Sequence, residues 1–153
     1  MLKRHRVFSE SELRSRYDIQ LENYVRTVHI EALTMLDMAK REILPAVSAY
    51  SASVADGIAK KKAAVPDLVC ASESKLVQKL TALIDEAEDA LESLDASVID
   101  LDAIQDDAEA AFHVRDAVIP AMAKLRAACD EAETLTADEF WPIPTYGDLL
   151  FGV

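Results

Sequence analysis

Glycine is scarce, with three residues in 153, and cysteine scarcer, with two. Three scattered glycines cannot build a Gly-rich loop that cradles phosphate, and no serine sits in a nucleophile-elbow pattern. Cys70 and Cys129 stand far apart without C-x-x-C spacing, which excludes a disulfide scaffold and a clustered zinc site. No apolar run reaches the roughly 18 residues that mark a membrane span. The basic start from Met1 to Arg6 has no apolar stretch behind it and does not read as a secretory signal. These absences lead us to expect a reduced, cytoplasmic protein.

What is abundant points one way. Half the residues are apolar (51%), enough for a folded core, and Ala, Leu, Glu, Asp and Lys dominate as in a helix-rich chain. Net charge is −12, which disfavours nucleic acid and anionic lipid as partners. Residues 1–62 hold 11 Lys/Arg against 8 Asp/Glu, whereas residues 63–153 hold 5 against 20. A mildly basic first segment packed on acidic later ones would gain ion pairs along its rims.

Ser9 followed by Glu12 is a capping box, and it opens a long helix. Tyr17, Leu21, Tyr24, Val28, Ala32, Met35, Ala39 and Ile43 recur at helical steps as its buried stripe. Ile30, Leu33 and Leu36 broaden that stripe, so its middle is expected to meet neighbours on two sides. The period continues past Pro45 through Val47, Tyr50, Val54 and Ile58, which predicts a kink and not a stop. Gly57 and Lys60 to Lys62 mark its end, and residues 63–71, with Pro66, read as a loop.

A second helix starts near Ser72 or Glu73, with Leu76, Leu80, Leu83, Ala87, Leu91 and Leu94 as its stripe. Asp85, Glu86, Glu88, Asp89 and Glu92 form a solvated outer face. The pattern breaks around Asp95 to Asp100, which suits the tip of a helical hairpin. A third helix follows, with Leu101, Ile104, Ala108, Ala111, Arg115, Val118, Met122, Leu125, Cys129 and Ala132 as a coiled-coil-like seam. Arg115 in that seam either fixes register or marks the bundle's edge. The surroundings of Pro120 echo those of Pro45. The expected fold is therefore all-α, a kinked antiparallel bundle of about three long helices over residues 9–135, with residues 1–8 a basic lead-in.

Chemistry is hard to find on these helices. A di-iron bundle site needs Glu-x-x-His, and neither His29 with Glu31 nor Glu109 with His113 has that spacing. Both histidines lie among apolar neighbours, and Cys129 occupies a core position as a small hydrophobe. The expectation is no catalytic, cofactor-binding or metal-ligating residue in this chain.

The tail, residues 136–153, has a different character. Phe140, Trp141, Tyr146 and Phe151 crowd into it beside Pro142 and Pro144, which impose an extended path. Phe140, Trp141, Pro142, Pro144, Tyr146, Leu149 and Phe151 are the interaction candidates. They cap the bundle itself or dock on another domain.

The string from Thr134 through Phe140-Trp141-Pro142-Ile143-Pro144-Thr145-Tyr146-Gly147-Asp148 to Phe151 resembles the C-terminal end of type III glutamine synthetases. Ser15 to Tyr24, Ile30 to Met35, Ala39 to Val47 and Arg115 to Met122 extend the resemblance over most of the chain. It implies the C-terminal helical domain of a multimeric enzyme that joins ammonia to glutamate with ATP and Mg2+ or Mn2+. The metal, nucleotide and substrate sites of that family lie in an upstream catalytic region, so this domain is expected to be inactive alone. Its implied partners are that region and sister subunits, with no nucleic acid and no membrane. The alternative is a free-standing helical protein-binding module with an acidic face.

Overall fold

The computed structural model describes residues 8–144 and 149–150. Among them there is helix and no strand. Helix α1 spans Glu10–Met38, α2 Leu44–Ala64, α3 Ala71–Ala103, α4 Asp107–His113 and α5 Ile119–Leu135. Five-residue π-helical turns, Ala39–Ile43 and Val114–Val118, join α1 to α2 and α4 to α5 without leaving helical backbone. Three rods result: residues 10–64, 71–103 and 107–135.

The first rod begins as its capping box dictates. Ser9 N–H donates to Glu12 Oε2 at 2.7 Å, and Glu12 N–H donates to Ser9 Oγ at 3.3 Å. At 1.5 Å per residue the rod is about 80 Å long. Tyr17 and Tyr24 face Ala108, Ala111, Phe112 and Arg115 across a shallow groove, yet Tyr17 stays 60% exposed and Tyr24 is exposed as well, although the apolar period assigns both to the core. Burial sets in at Val28 and continues through Ala32, Leu36, Ala39, Ile43, Leu44 and Val47.

Each π turn ends two residues before a proline, and this explains how the helices pass through Pro45 and Pro120. A proline has no N–H to give to the carbonyl four residues back. The Leu44 N–H bonds Ala39 O, and the Ile119 N–H bonds Val114 O, each five residues back. The wide turn closes the ladder one step before the missing donor, and it inserts an extra residue into the helix. That insertion moves the buried face. In the third rod Ala110 and Val114 are buried, and Arg115 faces solvent with its guanidinium 2.6 Å from Asp116. The seam position given to Arg115 by simple periodicity is thus corrected. It lies at the bundle's edge.

A second correction concerns the hairpin tip. Helix α3 runs straight through Asp95 to Asp100, because Val98 and Leu101 keep the apolar step and are buried. Ser97 is accommodated by donating its hydroxyl to Ser93 O at 2.8 Å. The turn falls at residues 104–106, where the Asp106 carboxylate accepts from the N–H groups of Ala108 and Glu109 and opens α4.

α3 is the central rod, packed against α2 and, most extensively, α5, while α4 sits on α1. Leu80, Leu94 and Leu125 are fully buried in this core. The ion pairs Lys40–Asp95 and Lys61–Glu73, with His29 beside Asp102, show the antiparallel register, one number rising as the other falls. Lys79–Glu131 ties α3 to α5 at 2.7 Å. The lysine pairs lie in solvent, where water and salt screen them, so they contribute little to stability.

Two outcomes follow. Val114→Ala should cost about 2 kcal/mol by urea unfolding, and Arg115→Ala less than about 0.5, since only the former removes buried surface. Equal costs would reject the frame shift at the π turn. At Gly57, inside α2, an added Cβ meets nothing within 4 Å. Gly57→Ala should therefore stabilise the fold by about 0.5–1 kcal/mol, read as a higher melting midpoint.

Candidate interaction surfaces

The tail begins where α5 stops. The Thr136 hydroxyl donates to Ala132 O at 2.8 Å and its N–H to the same carbonyl, which closes the helix. A tight turn follows, with Phe140 N–H on Ala137 O and Trp141 N–H on Asp138 O. It brings the Phe140 ring to 5.3 Å from that of Tyr50, tilted by 54°, on α2. Trp141 and Ile143, half-buried, pack on the core. Pro142 and Pro144 are exposed, and Leu149 is 71% exposed. Tyr146 and Phe151 lie outside the described residues. The candidates thus divide: Phe140 and Trp141 rest on the bundle, while Pro142, Pro144 and Leu149 face solvent.

A second surface is one that periodicity does not reveal. Helices α1 and α5 scarcely touch, and a groove of about 490 Å³ opens between them. Met35, Met38, Ile43, Met122, Leu125 and Cys129 line it. Glu31, Arg126 and Asp130 stand on its rim, with Arg126 Nε 3.3 Å from Asp130 Oδ2. Ile30, also on the groove, is 57% exposed, and Leu33 is exposed. The expectation that the middle of α1 meets neighbours on two sides is therefore corrected: Leu36 is covered, but Ile30 and Leu33 have no helix over them.

The third surface is the turn between α2 and α3. Val65, Leu68 and Val69 are exposed there, Val69 by 82%. Leu68 N–H donates to Val65 O at 3.0 Å across Pro66 and Asp67, a hydrogen-bonded turn with proline at its second position. Lys60 pairs with Asp56 and Lys61 with Glu73.

The titratable groups are dispersed. His29 Nε2 lies 3.3 Å from Asp102 Oδ1 but is not aligned for a hydrogen bond, and the His113 ring contacts Ser97 O at 2.9 Å. Among the described residues no three His, Cys, Asp or Glu side chains converge on a possible metal position. Cys70 and Cys129 are free thiols, both buried. Burial pushes the Cys129 thiol up to about 11, helped by the charge of Asp130.

The described residues thus form an all-helical bundle with an uncovered apolar groove, an exposed apolar turn and an aromatic tail. Residues 1–62 match the sequence model of the glutamine synthetase C-terminal domain family. Over all 153 residues the chain is 32% identical to a glutamine synthetase of Butyrivibrio fibrisolvens. It is 29% identical to the type-3 glutamine synthetase of Dictyostelium discoideum over 97% of its length. A glutamine synthetase of Bacteroides fragilis is 25% identical over 95% of it. The chain spans about a fifth of these relatives, 22%, 22% and 21% of their lengths.

The raised Cys129 thiol has a signed consequence. In the unfolded chain this thiol ionises near its ordinary value of 9.0, and in the folded chain near 11. Its contribution to stability is complete below pH 9 and is lost as pH rises toward 11. Cys129→Ser should flatten that alkaline fall in urea midpoints measured from pH 8 to pH 11. An unchanged slope would count against a buried, neutral thiol.

Proposed function

We propose that this chain is the non-catalytic C-terminal structural and interaction domain of a type III glutamine synthetase, acting in cytoplasmic nitrogen assimilation. The carrying observation is that likeness to glutamine synthetases runs the length of the chain yet fills only about a fifth of theirs. ATP, Mg2+ or Mn2+, glutamate and ammonia then belong to the other four-fifths.

In this reading the domain contributes packing surface to its own catalytic region and to sister subunits. Pro142, Pro144 and Leu149, which face solvent, join Tyr146 and Phe151 as contacts with those partners, while Phe140 and Trp141 anchor the tail. The partners are protein surfaces, with neither nucleic acid nor membrane among them. The net charge of −12 supports this, as does the absence among the described residues of a helix long and apolar enough to cross a membrane.

The test compares the full-length enzyme with a form lacking residues 9–151. The shortened enzyme should assemble from fewer subunits and lose activity, while the 153-residue chain alone forms no glutamine and binds no ATP. Turnover by the chain alone would overturn the assignment. So would a shortened enzyme of unaltered subunit number and activity.

A further inference from the structure

Two histidines join the outer rods to the far end of α3, and they differ in what a proton would bring them. The His113 ring meets Ser97 O at 2.9 Å, a bond that a neutral imidazole makes by donating its Nε2–H. His29 is otherwise placed. Its Nε2 is enclosed by protein and has no hydrogen-bond partner among the described residues, with Asp102 Oδ1 3.3 Å away and out of line. A neutral ring gains little from a carboxylate so placed. An imidazolium gains more, because the attraction between opposite charges at that distance does not need the alignment a hydrogen bond needs.

The surroundings lack a free cation. His29 stands where α1, α3 and α4 meet, at a cleft of about 290 Å³ that also has Glu22 and Arg26 of α1, Asp102 of α3 and Asp107 of α4 in its walls. The Arg26 guanidinium is engaged by Glu22 at 2.6 Å. Neither Asp102 nor Asp107 pairs with a lysine or arginine among the described residues, and His29 is the one basic group beside Asp102. Helix α3 also ends here. Its last turn carries Asp100 and Asp102 and no basic residue, although the negative pole of a helix favours a cation. Protonated His29 supplies that cation from the neighbouring rod. Its position matters too, because the adjacent Val28 is where the burial of α1 begins.

We infer that His29 is a proton-operated clasp: on taking up a proton from solvent it pairs with Asp102 and fastens α1 to the end of α3 beside α4. The sign follows from the charges. The pair exists only with the ring charged, so its contribution is present at low pH and is lost as the pH rises through the range from 5 to 8 in which histidine changes charge. Leu80, Leu94 and Leu125 lie outside this corner, and the core they form stays closed when the clasp opens. The inference goes beyond the proposed function and is independent of it, since every group it uses belongs to this chain.

Urea unfolding of the 153-residue chain, of His29→Gln, of Asp102→Asn and of the double variant, at pH 5.5 and at pH 8.5, tests it. The cycle formed by the four proteins cancels the general effect of acidification on a chain of net charge −12. Coupling between His29 and Asp102 should amount to about threefold in the unfolding equilibrium constant at pH 5.5 and vanish at pH 8.5. The same cycle built with His113→Gln in place of His29→Gln should show no coupling that changes with pH. Equal coupling of His29 to Asp102 at both pH values makes the contact an ordinary one and overturns the inference. So does the absence of coupling at pH 5.5, or a pH-dependent coupling of similar size between His113 and Asp102.

Discussion

A proline inside a helix has no N–H to give, and two of the three rods are built around that missing donor. The solution is the same both times. A π turn bonds the residue before the proline to a carbonyl five back, so the ladder closes before the gap. The cost of a broken helix is avoided, and the rods stay continuous. The inserted residue then dictates which side chains meet α3. Ile43 and Leu44, at the end of the first π turn, are both buried. Beyond Pro120 the buried positions pick up at Ala121 and Leu125.

The central position of α3 follows from its composition. It buries eight residues from Leu80 to Leu101, at steps of three and four apart from the adjacent Ala90 and Leu91, and its acidic side faces water. Because the rods on either side lean on α3, they need not lean on each other. The first and third meet closely only at α4. The groove between α1 and α5 is the space left where that contact ends, and Met35, Met38 and Met122 line its walls with Leu125 at its floor. Leu80 and Leu94, fully buried on α3, do not reach it.

Much of this was legible in the sequence. The all-helical class, the start at Ser9, the continuation through Pro45 and the loop at Pro66 all follow from caps, periods and punctuators. The Asp106–Glu109 pair has the same capping spacing as Ser9–Glu12, yet the polar stretch Asp95 to Asp100 drew the hairpin tip too early. Aspartate and serine mark loops on average, but here Val98 and Leu101 pull the backbone into the core against that preference. The π turns were not legible. A stripe that alternates by three and four absorbs a one-residue shift, and only the exposure of Arg115 against the burial of Val114 reveals it.

The aromatic tail announced itself by composition, whereas the groove and the turn did not, for a physical reason. Periodicity identifies which side of a helix is apolar, and says nothing of whether a neighbour arrives to cover it. Leu33 and Leu36 read alike in sequence, but one is exposed and the other is buried. Exposed apolar surface on a folded module is unfavourable in water and becomes favourable only in contact. The deep leucine core makes that arrangement tolerable, because the bundle's own stability does not rely on Ile30, Leu33 or Val69. A domain built this way is free to keep apolar side chains at its edges, where their burial strengthens association with a partner instead of the fold.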